Sequence, residues 1–341
     1  MEPTISKEAK EAAAAEVKEH KDEFDDALDE EALGDGTFAV TAEELTIIRA
    51  ELASEFPEDF LYLSDAYILS VASKPYSKDP SIRRPLDYSQ SKLNDVMRWR
   101  EEAGATDMED LLKLANGPDS APEALADPER LAKAKALAVS LNYGSTYWHG
   151  FTKDGHPILW LRTNRKAWYP DTDAEVNALI LLADAGIQCM PAGITDFVCI
   201  ADSASPPPPN PTFMIKLLKA LVKGYPDRLN VLISAPISSI VQFVMNLLLP
   251  LMPGRLASKV VLKGLDEGRA KIAELLPNGD ADVPTFLGGP ANHDLFYPDE
   301  GRCANRGQGN LKFDYFGMKE RLLKAKQEVE AANKAKAADA S

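Results

Sequence analysis

Three short runs, "HPILWL" (His156 to Leu161), "DFVCIA" (Asp196 to Ala201) and "LNVLIS" (Leu229 to Ser234), constrain this chain more than any other feature. Each has strand length, is almost continuously apolar and is bounded by Gly, Asp or Pro. Between the first two lies the helical pattern "TDAEVNALILLADAG", and between the last two "NPTFMIKLLKALVKGY". A strand apolar at successive positions has to be covered on both faces, and an intervening helix returns the chain to start the next strand parallel to the last. The alternation therefore predicts one α/β domain with a mostly parallel sheet over residues 125–300.

The chain of 341 residues has room for a second part, since a domain takes roughly 100 to 200 residues. "TAEELTIIRAELASEFPEDFLYLSDAYILSVAS" carries apolar residues at helical spacing from Leu45 to Leu69, with Thr41 and Glu44 in a capping-box pattern. Three prolines in "KPYSKDPSIRRPLDYS" then stop any helix. "SQSKLNDVMRWREEAG" predicts another, from about Ser89 to a capping Gly104, with Leu93, Val96, Met97 and Trp99 facing inward. Residues 39–120 thus read as an all-helical N-terminal subdomain. "ANGPDSAPEALADPERL" connects it to a helix over Pro128 to Leu141. "SPPPPNP", Ser205 to Pro211, reads as a stiff polyproline loop, and a protein partner is the other use of such a run. Residues 301–341 read as a loop and a charged helix that loses its apolar stripe after Leu323, so its end is expected to fray.

Charge is distributed unevenly. The whole chain carries 38 Lys/Arg against 53 Asp/Glu, a net of −15, which repels phosphate backbones and argues against nucleic acid as a partner. Residues 1–35 hold 13 acids against 4 lysines, a net of −9. Residues 1–38 therefore read as a solvated, frayed helix or a disordered tail, and as an arm able to recruit a protein partner. Residues 213–273 hold 9 Lys/Arg against 3 Asp/Glu, a net of +6, within the most apolar part of the chain. That combination suits an anionic membrane surface or an anionic ligand, against the plainer reading of solvated lysines on surface helices.

Cys189, Cys199 and Cys303 are odd in number and widely spaced, which suits a reducing compartment and gives neither a zinc framework nor a disulfide scaffold. No secretory pattern opens the sequence, so a cytoplasmic location is expected. The run from Val231 to Met252 is interrupted by Ser, Gln, Asn and Pro, and falls short of the roughly 20 apolar residues that a span needs. Peripheral membrane contact remains open to it.

Catalytic patterns are absent: no G-x-S-x-G, H-E-x-x-H, P-loop or G-x-G-x-x-G occurs, and His20, His149, His156 and His293 form no metal-spaced pair. The chain is expected to be a binder and not an enzyme, with no metal and no cofactor. The helix "IVQFVMNLLL" is apolar on nearly every side except at Gln242 and Asn246, so it is either a core helix or a lid over something apolar, with Lys259 and Lys263 as its basic flank.

Residues 56–300 resemble the CRAL-TRIO lipid-binding family, which includes phosphatidylinositol and phosphatidylcholine transfer proteins and carriers of tocopherol and retinal. "DYSQSKLNDVMRWREEAG" looks like the end of the family's helical N-terminal subdomain, and "FTKDGHPILW" like its turn into the sheet. "DFVCIADSAS" is similar to the strand that ends in an aspartate, here Asp202. "GYPDRLNVLISAPISSIVQFVMNLLLPLMPGRLASKVVL" is similar to the Y-P-E-R-L turn, the next strand, the mobile gate helix and the S-K strand, and "VPTFLGG" to the closing segment.

The resemblance implies a helical unit followed by an α/β pocket with a sheet floor and a gate helix cover. It implies a lipid headgroup held by Asp227, Arg228 and Lys259, where phosphatidylinositol binders place their acid, arginine and lysine. Phe197, Cys199, Leu232, Ile240, Phe243, Val244 and Leu247 are the implied pocket wall and gate. Asp227 is one methylene shorter than the family's glutamate, and "YILSVAS", Tyr67 to Ser73, lacks the family's basic residue there. Phe197 and Cys199 stand where phosphatidylcholine binders carry hydroxyls, which favours phosphatidylinositol or another anionic phospholipid, taken from an anionic membrane surface. The implied role is transfer or presentation between membranes through opening of the gate. The alternatives are a lipid-sensing targeting module without transfer, a carrier of a tocopherol, retinoid or sterol-like molecule, and a hydrolase with an unrecognised site.

Overall fold

The computed structural model describes residues 6–19, 38–57, 62–76, 78–118, 122–167, 170–297 and 313–339. Chain order is α1 (Lys7–Glu19), α2 (Ala42–Glu55), α3 (Asp65–Ala72), a hairpin of β1 (Pro75–Tyr76) and β2 (Asp79–Arg83), α4 (Leu86–Ala103), α5 (Met108–Asn116), α6 (Pro122–Ala126) and α7 (Pro128–Asn142). Then follow β3 (Thr146–Phe151), β4 (Pro157–Arg162), α8 (Thr172–Gln188), β5 (Phe197–Asp202), α9 (Pro211–Lys219), a π-helical turn (Ala220–Gly224) and β6 (Leu229–Ser234). The chain ends with α10 (Ser239–Leu248), α11 (Gly254–Ala257), β7 (Val260–Leu262), α12 (Leu265–Leu275) and α13 (Tyr315–Asp339).

The three apolar runs become β4, β5 and β6, neighbours in a five-stranded sheet of order β3-β4-β5-β6-β7. β4 to β7 pair in parallel, and β3 adds to the edge antiparallel to β4. All six residues of β5 are buried, as a central strand covered on both faces requires. The sequence reading missed β3, which places Tyr147 and Trp148 in the core but has half-exposed His149 and Gly150 and an irregular register beside them. Helix α8 lies against this strand because Gly186 has no side chain: a Cβ there would fall 2.1 Å from the Trp148 ring.

The helical unit begins where Thr41 and Glu44 cap α2 reciprocally, each side chain accepting from the other's backbone N–H. Ile48, Leu52, Tyr67, Ile68, Leu93 and Met97 share its core, and α4 stops at Gly104 in the left-handed region with φ 61°. Helix α5, which the sequence groups with this unit, packs Met108, Leu111 and Leu112 into the core of the sheet instead. Tyr315, Met318 and Leu322 of α13 join that same core, and α13 continues to Asp339.

A buried network joins the helical unit to the sheet domain. Arg100 of α4 donates through Nη1 and Nη2 to the two carboxylate oxygens of Asp184 on α8, both at 2.9 Å. The Tyr62 and Tyr225 hydroxyls donate to the same carboxylate at 3.2 and 2.9 Å, and the Arg100 guanidinium stacks 3.3 Å over the Tyr62 ring. Trp99 of α4 packs on the π-helical turn at Gly224, where a Cβ would fall 2.2 Å from its ring.

The acidic N-terminal segment corrects its sequence reading in part. Residues 7–19 form α1, which is docked on the sheet domain rather than frayed or disordered. Ala13 and Val17, one helical turn apart, are buried, and Val17 packs with Met214, Ile215 and Leu218 of α9 and with Met245 and Leu248 of α10. Glu16 accepts a hydrogen bond from the Thr212 hydroxyl at 2.6 Å, and the Lys10 ammonium lies 5.6 Å from the centre of the Phe243 ring. A two-residue apolar strip in an alanine-rich acidic helix has little weight alone, and it is buried here because α9 and α10 offer it a methionine and leucine face. Residues 20–37 of the acidic arm, and the loop carrying Cys303, lie outside the described residues. No helix among the described residues is long and apolar enough to cross a membrane.

Candidate functional site

The turn from Gly224 to Arg228 leads from the π-helical turn into β6 and carries the acid and arginine singled out above. Asp227 has φ 58°, a left-handed conformation that aspartate tolerates better than most residues but that still costs free energy. The turn is pinned on both sides of it. The Tyr67 hydroxyl donates to the Pro226 carbonyl at 2.7 Å, and Phe197 N–H donates to the Arg228 carbonyl at 2.9 Å. The Arg228 guanidinium lies 3.4 Å over the Tyr67 ring and donates to the Thr195 carbonyl at 3.0 Å.

This pinning aims the Asp227 carboxylate into a cleft of about 710 Å³ between α4, the π-helical turn and the segment Pro253–Lys259. Arg84 Nη1 lies 3.6 Å and Arg255 Nη1 3.8 Å from its oxygens, and Oδ2 has no hydrogen-bond partner. Burial works to raise the carboxyl pKa, but Lys92, Arg84, Arg255 and Lys74 together outweigh it and hold the group below its ordinary value. Asp227 is therefore an anion held in place by more positive than negative neighbours. Lys259 lines the same cleft and donates to the Leu229 carbonyl; burial pulls its pKa down, against the attraction of Asp227 and Asp196. The rest of the lining mixes apolar side chains such as Trp99, Phe197, Leu221 and Leu256 with further charged ones such as Lys92, Arg98 and Glu102, so ionic and apolar surface share the cleft.

The sheet and its turn are matched in sequence: residues 141–289 fit the family model described as CRAL/TRIO domain. The chain carries a CRAL/TRIO domain. A solved structure described as "Crystal structure of Sfh5" aligns over 94% of this chain and 100% of its own, at 9% identity and a TM-score of 0.39. No curated protein matches the chain in sequence.

Of the ten residues singled out from the sequence, Asp227, Lys259 and Phe197 line the cleft, and the other seven do not. Arg228 is buried behind it on Tyr67. Cys199 belongs to the sheet core, where burial pushes its thiol up to about 12, and Leu232 packs against that core half-buried. Ile240 is buried, and Val244 and Leu247 pack in the α9–α10 cluster that includes Val17 of α1. Phe243 is half-buried beneath Lys10. Helix α10, begun by Ser238 whose hydroxyl accepts from Val241 N–H, thus faces α9 and α1.

Sequence reasoning overlooked Arg255, Arg84 and Lys92. Arg255 stands four residues before Lys259, a spacing that places two cations on one side of a helical turn and could have flagged it. Arg84 and Lys92 reach Asp227 from the helical unit, more than 130 residues earlier, and no local pattern announces such a meeting.

Near the Thr195 carbonyl that Arg228 engages, His156 Nδ1 lies 2.6 Å from Asp196 Oδ1. The Asp196 carboxylate raises the imidazole pKa above its ordinary value, and burial opposes the shift without cancelling it. A raised folded-state pKa gives stability that is fully present below the unfolded value of about 6.5 and is lost as pH rises through the folded value. His156→Gln should accordingly lose stability relative to the wild type at acid pH, with the gap closing towards alkaline pH. Denaturant midpoints of both proteins across this range test it, and a gap that widens with pH would count against the pair.

Proposed function

We propose that the cleft binds an anionic phospholipid, phosphatidylinositol first among them, and that the protein transfers or presents it between membranes. The observation that carries this reading is the convergence of Asp227, Arg255 and Lys259 in a cleft that apolar side chains also line. A phospholipid offers the same two kinds of surface. The unpartnered Asp227 oxygen suits donation from sugar-type hydroxyls, while Lys259 and Arg255 suit a phosphate. A choline headgroup offers no hydroxyl donor to Asp227. Each buried CH₂ is worth about 0.8 kcal/mol, so an 18-carbon chain would resist release into water by roughly 14 kcal/mol. Exchange would then need direct docking on a bilayer, for which the +6 region around α10 is suited.

Mass spectrometry of lipid extracted from natively purified protein tests the ligand class. Near-stoichiometric phosphatidylinositol or another anionic phospholipid is expected. Recovery of a tocopherol, retinoid or sterol-like molecule instead would overturn the headgroup reading, since such a ligand has no use for the cationic side chains.

A second reading, sensing or presentation without rapid transfer, is favoured by the seating of α1 across α9 and α10. If α10 is the gate, its outward movement has to carry α1 off the same apolar face. Val17→Asp, which places a charge in that cluster, should release α1 and speed vesicle-to-vesicle phosphatidylinositol transfer several-fold, with hydrogen exchange over residues 7–19 rising in parallel. Release of α1 with no gain in transfer would dismiss it as a brake.

A further inference from the structure

The cleft contains a cationic side chain for which the fold supplies no adequate partner. Arg255 is nine-tenths buried, lines the cleft, and has neither Nε nor Nη1 in a hydrogen bond. Its acidic neighbour is Asp227, 3.8 Å away and shared with Arg84 at 3.6 Å. A buried guanidinium with open donors is costly unless something else completes it. Lys259, on the same wall, spends a hydrogen bond on a neutral carbonyl and draws on Asp227 and, behind it, Asp196 for charge.

Other acids lining the cleft do not relieve this. Asp95 is engaged by Arg98 at 3.5 Å, and Glu102 is exposed at the rim. Asp227 is thus the least exposed carboxylate lining the cleft among the described residues, and Arg255, Lys259 and Arg84 gather around it. Arg255 and Lys259 beside a carboxylate that Arg84 also engages leave this wall with a positive surplus, which calls for a ligand bringing several negative charges. A phosphodiester supplies one; a phosphate monoester carries about −1.5 to −2 at neutral pH and presents three acceptor oxygens. The planar fork of arginine matches two such oxygens at once, which an ammonium cannot do.

We infer that Arg255 anchors a phosphate monoester and that the cleft prefers a phospholipid headgroup bearing one over a headgroup that is only a diester. The inference rests on the headgroup reading above and narrows it to a ligand class.

The test uses the full chain and isothermal titration with soluble short-chain phosphatidylinositol, short-chain phosphatidylinositol monophosphate and free inositol bisphosphate. The wild type should bind the monophosphate lipid at least about tenfold more tightly than the unphosphorylated one, as expected for one added charge-assisted contact. Arg255→Gln should bring the two lipids to within about threefold of each other, weakening the monophosphate lipid more than phosphatidylinositol. Lys259→Ala should weaken both. Wild-type affinities that are equal for the two lipids would overturn the inference without any variant, and so would a preference that persists in Arg255→Gln. A wild type that binds neither lipid would remove the headgroup reading beneath it. Free inositol bisphosphate binding as tightly as the monophosphate lipid would transfer the site to a soluble phosphate ester.

Discussion

Replacing Arg100 by alanine should lower the unfolding free energy by about 3–5 kcal/mol, the usual cost of leaving one partner of a buried ion pair behind. Asp184 is nearly buried and accepts from four donors, two of them on Arg100. Burial disfavours the charged guanidinium, yet its bonds to Asp184 raise its pKa overall, so Arg100 stays charged. Alanine would strand the carboxylate with only two tyrosine hydroxyls, and would also remove the stack on Tyr62. The exposed pair of Arg98, two residues earlier on α4, with Glu55 of α2, 3.1 Å apart, provides the comparison. Arg98→Ala should cost no more than about 1 kcal/mol. Chemical denaturation of both variants measures the contrast, and a loss for Arg100→Ala below about 1 kcal/mol would sink the account. Arg100→Met combined with Asp184→Leu should recover much of the deficit, because removing both charges also removes the burial cost.

Lys259→Ala should reduce phosphatidylinositol transfer by roughly 10- to 100-fold while the protein stays folded, since a hydrogen bond to a charged group is worth about 1.5–3 kcal/mol. The fold should tolerate the change because burial already penalises this ammonium. What disappears is one of the charges available to a phosphate at the cleft. Lys271→Ala, on the exposed face of α12, controls for lost surface charge and should transfer normally. Transfer by Lys259→Ala that matches Lys271→Ala would remove Lys259 from the headgroup site. Circular dichroism and a thermal midpoint close to that of the wild type distinguish lost binding from lost structure.

Strands β4, β5 and β6 were legible because each is apolar on both faces and bounded by residues that end a strand. β6 matches its predicted span of Leu229 to Ser234, where Asp227 and Arg228 precede it and Ala235-Pro236 follows. β3 was not, because an edge strand with a glycine and a histidine in its middle has neither a continuous apolar run nor a clean alternation. Burial of α1 could not be read from α1, since the face that covers Val17 belongs to α9 and α10, some 200 residues away. The candidate site divides in the same way. Asp227 and Lys259 were recognisable from their neighbours in sequence, whereas the orientation of Arg228 depends on Tyr67 and the crowding of Asp227 on Arg84. Short-range chemistry announces itself in a sequence; meetings between distant segments do not.

The turn that carries Asp227 is held as much by the helical unit as by the sheet. Tyr67 holds Pro226 and supports Arg228, Tyr225 shares Asp184 with Arg100, and Trp99 leans on Gly224. Seating of the helical unit and occupancy of the cleft therefore draw on one common free energy. Whatever affinity an anion at Asp227 gains from a seated helical unit, the unit must gain in seating from the anion, by thermodynamic reciprocity. The N-terminal helices are in this sense half of the binding surface, and prying them from the sheet is a route to letting go.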